Sequence, residues 1–98
     1  GGLILRDPAG GDRTDTTGTA SEIMAEMNAD NQGVSVGSSF VFTVRNTADA
    51  AETITVAGGT GVTVSGTATI AQNNQKSFLA VVTSATAITI YSLGTVVF

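Results

Sequence analysis

Three aspartates near the beginning of the sequence are the first residues whose types and spacing suggest chemistry. Asp7, Asp12 and Asp15 lie close together around a pair of glycines, and hard cations such as Ca²⁺ bind carboxylate oxygens. Their spacing does not fit the alternating acidic positions of an EF-hand loop. Asp and Thr side chains also cap turns in solvated segments. We expect this second role, and keep a weak cation site at Asp7, Asp12 and Asp15 as the alternative.

Two pairs of neighbouring acidic residues raise the question of acid/base catalysis, as in glycoside hydrolysis. They are Glu22 with Glu26 and Asp49 with Glu52. The first pair lies on one predicted helix and the second in one predicted turn, and nothing in the sequence indicates a cleft between the members. Ser and Thr are plentiful, but the chain has no histidine to activate a hydroxyl group. The sequence therefore predicts a protein that is not an enzyme and uses no cofactor.

The glycine-rich segment 58–61, with the sequence GGTG, could suggest a phosphate-binding loop. Such a loop has to lead into the N-terminus of a helix, where free backbone N–H groups point at the phosphate. Here it leads into Val-Thr-Val at 62–64, which is the pattern of a strand. We therefore expect a hairpin turn at this position.

Alternating apolar and polar residues organise most of the chain. Segments such as Thr-Ile-Thr-Val place aliphatic side chains on one face of a strand and threonines on the other, which is typical of an antiparallel sheet with one packed face. The predicted strands cover residues 34–36, 40–45, 53–56, 62–64, 67–70, 77–82, 87–91 and 95–98.

The same alternation predicts the core. Phe42, Ile54 and Ile70 occupy the apolar phase of their strands, and we expect the aromatic residues to be buried as well. The aromatic residues assigned to the core are Phe40, Phe42, Phe78 and Tyr91, of which Tyr91 faces opposite to Ile88 and Ile90.

The first part of the chain differs from the rest. Pro8, Gly10 and Gly11 break regular structure, so residues 1–18 are predicted to form an extended N-terminal arm. Thr19 and Glu22 fit a capping box, which predicts a short helix over about residues 20–28. The expected fold is mainly β: an antiparallel, jelly-roll-like β-sandwich over residues 19–98, with one short N-terminal helix and the arm.

The composition limits the classes of partner. Only 12% of the residues are charged and the net charge is −4, which argues against binding nucleic acid through its phosphates. No apolar run reaches the roughly 18 residues that span a membrane.

Sparse charge also suggests a surface that is buried against other protein copies. Residues 78–82 are apolar on both faces, and Leu3, Ile4 and Leu5 form an apolar segment that needs a sheet edge in its own subunit or in a neighbour. We therefore predict a homo-oligomer with the interface residues Leu3, Ile4, Leu5, Leu79 and Val81.

Several segments resemble a module of structural proteins in tailed bacteriophages. They are residues 42–56, 59–74, Phe78 and 90–94, together with Arg-Asp-Pro at 6–8 and Arg-Thr-Asp-Thr-Thr at 13–17, followed by the short helix. The resemblance covers most of the chain and is one of β segments, not of a catalytic signature. It implies a virion component on the capsid surface or in a tail fibre, usually a trimer, without catalytic residues.

The leading hypothesis is thus a trimeric capsid decoration or cement protein that contacts the major capsid protein or another virion protein. A receptor- or glycan-binding knob of a tail fibre is one alternative, and the copy number per virion distinguishes the two. A filament subunit that donates residues 3–5 to the next copy is the other alternative.

Overall fold

The computed structural model describes residues 3–28 and 34–98. This part of the chain is mainly β, with one short helix, as the sequence predicted. The elements are β1 (Leu3–Arg6), β2 (Arg13–Thr16), α1 (Ala20–Met27), β3 (Ser39–Asn46), β4 (Ile54–Ala57), β5 (Val62–Ser65), β6 (Thr69–Ile70), β7 (Asn74–Ser84) and β8 (Ala87–Val97).

The strands form two sheets. The larger sheet has the order β1-β3-β7-β8-β5, and the smaller has the order β2-β4-β6. The pairs β3–β7, β7–β8 and β4–β6 are antiparallel, whereas β1–β3, β2–β4 and β5–β8 are parallel. The expectation of an antiparallel arrangement is therefore wrong for half of the pairings, because in each parallel pair the chain crosses over through other elements before the second strand runs in the same direction.

The N-terminal segment corrects another expectation. β1 forms an edge of the larger sheet beside β3, and β2 forms an edge of the smaller sheet beside β4. The described part of residues 1–18 is thus paired within its own chain instead of extending away as an arm. Pro8, Gly10 and Gly11 separate the two strands as predicted, but the break lets the chain pass from one sheet to the other.

Turns that contain glycine or asparagine also connect strands of the two sheets. Residues 58–61 connect β4 of the smaller sheet with β5 of the larger one, so the predicted hairpin at this position is wrong. Asn73 has φ 62° and lies between β6 of the smaller sheet and β7 of the larger one, in the left-handed conformation that asparagine tolerates. The strand predicted at 34–36 is also wrong, since the chain turns there at Gly37, which has φ 96°.

The hairpin of β7 and β8 is longer than the sequence predicted. The predicted strands 87–91 and 95–98 merge into β8, and the register shifts between Ser77 and Phe78 of β7. This shift is a β-bulge, which lets one strand absorb an extra residue and continue.

The two sheets and the helix share one hydrophobic core. Phe78 is fully buried, as are Ile54 and Ile70 of the smaller sheet, which were predicted to be core residues. Phe42 is only partly buried and stacks on Phe78 with 5.1 Å between ring centroids. Tyr91 is 41% exposed, so its assignment to the core is wrong: it lies in the phase of β8 opposite to the buried Ile88 and Ile90.

The predicted capping box begins α1. The Glu22 N–H donates to Thr19 Oγ1 at 3.2 Å, and the Thr19 N–H donates to Glu22 Oε1 at 2.9 Å. The hydrogen bond from the Thr19 backbone lowers the pKa of Glu22. The fixed helix start places Ala20 in the core and packs Ile23, Met24 and Met27 against it.

Candidate interaction surface

One face of the larger sheet turns away from the shared core, and we call it the outer face. Along β3, Val44 and Asn46 are buried on the core side, so the alternation of the strand places Val41, Thr43 and Arg45 on the outer face. Strand register extends this face over β1, β7 and β8, because residues paired across neighbouring strands point to the same side.

An apolar row crosses the middle of the outer face. Val41 pairs with Leu79, and Leu79 pairs with Tyr91. Val41 is 46% exposed and lies on β3 just before the stretch that pairs with β1. The row therefore presents aliphatic and aromatic surface across three adjacent strands.

Side-chain hydrogen bonds join β3 and β7 in the two rows of paired residues that follow the apolar row. In one row, Leu3 pairs with Thr43, whose hydroxyl lies 2.8 Å from that of Ser77. In the other, Arg45 donates from Nε to the Gln75 side chain at 2.9 Å. Thr43 thus bonds to Ser77, and Arg45 to Gln75, across β3 and β7.

The last residue of the sequence, Phe98, contacts the Arg45 side chain. The guanidinium carbon of Arg45 lies 4.1 Å from the centroid of the Phe98 ring, which is the geometry of a cation–π contact. On the two sides of this pair, Leu5 is 64% exposed and Val96 is 58% exposed. The outer face thus carries one apolar row, Val41, Leu79 and Tyr91, while the polar rows of Thr43–Ser77 and Arg45–Gln75 separate it from the exposed Leu5 and Val96.

Four of the five predicted interface residues lie on this face. They are Leu3, Leu5, Leu79 and Val81, as their register with outer-face residues shows. Ile4 pairs with Val44 and lies on the opposite side. It lines an apolar groove of about 620 Å³ between α1 and the larger sheet, together with Met27, Phe40 and Phe42.

Sequence reasoning missed Val41, Tyr91 and Val96 as members of the outer face. The sequence did indicate an exposed apolar residue at Val41, because residues 40–42 are apolar at positions that face both sides of a strand. Tyr91 was noted in the phase opposite to Ile88 and Ile90 but was assigned to the core. Val96 could not be found by alternation, since the bulge in the β7–β8 pairing changes the phase before it.

The three N-terminal aspartates separate into different roles. Asp15 accepts two hydrogen bonds from the guanidinium group of Arg6, at 2.8 and 3.0 Å, and this pairing raises the pKa of Arg6. Asp12 accepts from the Thr53 N–H at 2.9 Å. Asp7 accepts from the Ala9 N–H at 2.9 Å and lies near Asp49 and Glu52. The expected turn-capping role is thus seen at Asp7, whereas the alternative, a cation site of Asp7, Asp12 and Asp15, is not a carboxylate cluster among the described residues.

The glycine-rich loop has structural contacts. The Gly59 N–H donates to Thr17 Oγ1 at 3.0 Å, and the Thr60 carbonyl accepts from the Ala20 N–H at 2.9 Å. The loop thus holds the start of α1 and continues into a strand, which is not the geometry of a phosphate-binding loop. Glu22 and Glu26 lie on one exposed face of α1, with Glu22 engaged in the capping box.

Comparisons with protein-family models, with curated proteins and with solved structures found no match. Among residues 3–28 and 34–98, no helix has the length and hydrophobicity required to cross a lipid bilayer.

Proposed function

We propose that this protein is a non-enzymatic structural protein of a tailed-bacteriophage virion, which assembles as a homotrimer through its outer face and decorates the capsid. The observation that carries the self-association is the apolar row of Val41, Leu79 and Tyr91, on a sheet face where residues 3–28 and 34–98 leave Val41 46% and Tyr91 41% exposed. Contiguous exposed apolar surface of this kind is typical of protein–protein interfaces.

A second copy of the chain fits this surface. The outer face has an apolar centre, and its polar groups are largely satisfied internally, as in the Thr43–Ser77 and Arg45–Gln75 pairs. Interfaces between identical subunits are more apolar than other interfaces and are depleted of charge at their centre. The low charge of the whole sequence, 12%, agrees with a surface that is partly covered in use.

The virion part of the proposal rests on the resemblance of residues 42–56 and 59–74 to modules of phage structural proteins. The chain offers little for catalysis, since it has neither histidine nor cysteine. Asp12, Asp15 and Glu22 accept structural hydrogen bonds. In this proposal the major capsid protein, or another virion protein, is the partner.

The finer architecture belongs to the same proposal. Because the two sheets contribute to one core, we treat them as the layers of a jelly-roll-like β-sandwich. The N-terminal segment would anchor the protein through β1, whose residues are exposed or half-buried at a sheet edge.

Sedimentation equilibrium of the full chain tests the self-association. We expect a trimer at micromolar concentration for the natural sequence and dissociation toward monomer for Val41→Lys, which places a charge in the apolar row. Val36→Lys is the matched control, because Val36 is 68% exposed but lies in the turn before β3. A monomeric natural chain, or equal behaviour of the two variants, would refute the outer face as the interface.

Imaging of purified virions with a label on this chain tests the location. Hundreds of copies spread over the head are expected for a decoration protein, whereas a handful at the tail would favour the tail-fibre knob. Absence from purified particles would exclude both.

A strand-exchanging filament subunit is the second candidate, and the position of β1 favours it. β1 is a short strand at the edge of the larger sheet, where β3 is its only strand partner, and such a strand is of the kind that can be donated to another copy. A variant lacking residues 1–11 separates the two proposals. It would stay trimeric if the rows of β3, β7 and β8 form the interface, and it would lose all association if strand donation does.

A further inference from the structure

We propose that Asp7, Asp49 and Glu52 form a Ca²⁺ site that joins the N-terminal segment to the loop after β3. The carboxylate oxygens that these residues offer lie within 4.8 Å of one another. Oxygen ligands lie roughly 2.3–2.6 Å from Ca²⁺, so that two ligands on opposite sides of the ion are about 5 Å apart. One ion can therefore contact all three side chains.

Glu52 provides the observation that distinguishes this cluster from ordinary surface acids. Its side chain is only 8% exposed, and its Oε1 is buried without a hydrogen-bond partner among the described residues. A buried carboxylate oxygen without a partner is costly in free energy. One carboxylate oxygen of Glu52 lies within 4.8 Å of oxygens of Asp7 and Asp49, so a cation between the three would neutralise this buried carboxyl group.

The nearest basic groups do not neutralise the cluster. Arg6 directs its guanidinium group to Asp15 and to the backbone carbonyl of Asp7. Arg13 donates to the backbone carbonyls of Pro8 and Ala9. Within residues 3–28 and 34–98, the Arg6–Asp15 contact is the only ion pair. None of the three carboxylates therefore has an ion-pair partner there, and Arg6 interacts with the Asp7 charge only through space.

The backbone around the cluster is fixed before any ion binds. Asn46, which is fully buried, donates from Nδ2 to the Glu52 carbonyl at 2.8 Å and accepts from the Ala48 N–H at 2.9 Å. The Thr47 N–H donates to the Arg6 carbonyl at 2.8 Å, which places the loop directly beside Asp7. Ligands held in place in this way lose little conformational entropy on binding.

The chemistry of the donors selects the cation. All three side chains offer hard oxygen atoms, which suit Ca²⁺ or Mg²⁺ and do not suit soft metals. Ca²⁺ accepts irregular shells of 6–8 oxygens completed by water, whereas Mg²⁺ requires near-ideal octahedral geometry. Two exposed aspartates and one buried glutamate make an irregular, partly hydrated site, so Ca²⁺ is the expected ion.

Isothermal titration calorimetry of the full chain with CaCl₂, at constant ionic strength, tests the site. We expect saturable binding with a Kd on the order of 10⁻⁴–10⁻³ M, as in weak extracellular calcium modules, and weaker binding of MgCl₂. Glu52→Gln and Asp49→Asn should each weaken Ca²⁺ binding at least about tenfold. Glu26→Gln is the matched control and should bind as the natural chain does, since Glu26 is exposed on α1 outside the cluster.

A second readout covers the case in which a variant folds poorly. Ca²⁺ should shift the backbone amide NMR signals of residues 6–7, 9 and 47–53 and leave those of α1 unchanged. It should also raise the Tm of the natural chain but not the Tm of Asp49→Asn. Asp49 is exposed, so this variant should fold even if Glu52→Gln does not. No saturable binding by the natural chain, or equal binding by Asp49→Asn, would overturn the proposal.

Discussion

The two faces of the larger sheet differ in what covers them, although the same strands build both. Phe78 and Leu79 are neighbours in β7 and take part in the same hydrogen-bonded ladder. The Phe78 side chain is fully buried beneath the smaller sheet and the helix, whereas Leu79 lies in the apolar row of the outer face. The chain thus covers one face of the sheet itself, whereas the described residues leave Val41 and Tyr91 on the other face exposed.

The largest difference in unfolding free energy between the two faces is expected for substitutions of Phe78 and Leu79. Phe78→Ala should lower the free energy of unfolding by about 3–5 kcal/mol, since it removes a fully buried ring and leaves a cavity. Leu79→Ala should cost about 1 kcal/mol at protein concentrations low enough to keep the chain monomeric. Urea titrations followed by circular dichroism measure both, and equal losses would mean that the outer face is also packed within the monomer.

Polar residues provide the next contrast between the faces. Asn46→Ala should cost about 2–3 kcal/mol, because it leaves the carbonyls of Glu52 and Ile70 without their donor in a buried site. Arg45→Ala, one residue away on the outer face, should cost about 0.5–1 kcal/mol through its cation–π contact with Phe98. The same titration compares them, and a larger loss for Arg45→Ala would reverse the assignment of the faces.

The helix that covers the inner face gives the smallest expected effect. The pKa of Glu22 is lowered in the folded state, so its ionised form stabilises the fold above the unfolded pKa, and this stabilisation is lost as the pH falls through the folded pKa. Glu22→Gln should therefore have a lower urea midpoint than the natural chain at pH 7, and this difference should shrink as the pH is lowered through the folded pKa of Glu22. A difference that persists at low pH would show that the capping box does not depend on the charge.

Local patterns were enough to predict much of the fold. The alternation around Ile54 and Ile70 identified the core phase of their strands, and the sequence from Thr19 to Glu22 identified the capping box that begins α1. Such signals depend on neighbouring residues, so they can be seen in the sequence.

Pairings between distant segments could not be predicted in the same way. Nothing local indicates that β1 and β2 lie parallel to β3 and β4, or that the loop at 58–61 passes between sheets. The same holds for the proposed cation site, because Asp7 meets Asp49 and Glu52 only after β1 has paired with β3. Sequence spacing grouped Asp7 with Asp12 and Asp15, its neighbours along the chain, instead.

The parallel pairing of the N-terminal strands has a consequence for folding kinetics. Leu3 pairs with Thr43 and Arg13 with Ile54, and the hydrogen bond between Thr53 and Asp12 spans 41 residues of chain. During synthesis, β1 and β2 emerge from the ribosome well before their partners and have to remain unpaired until those are made. Contacts between such distant residues close large loops, which places folding in the range of roughly milliseconds to seconds. In this interval the two strands are exposed edges, and neighbouring copies on the same polysome can compete for them.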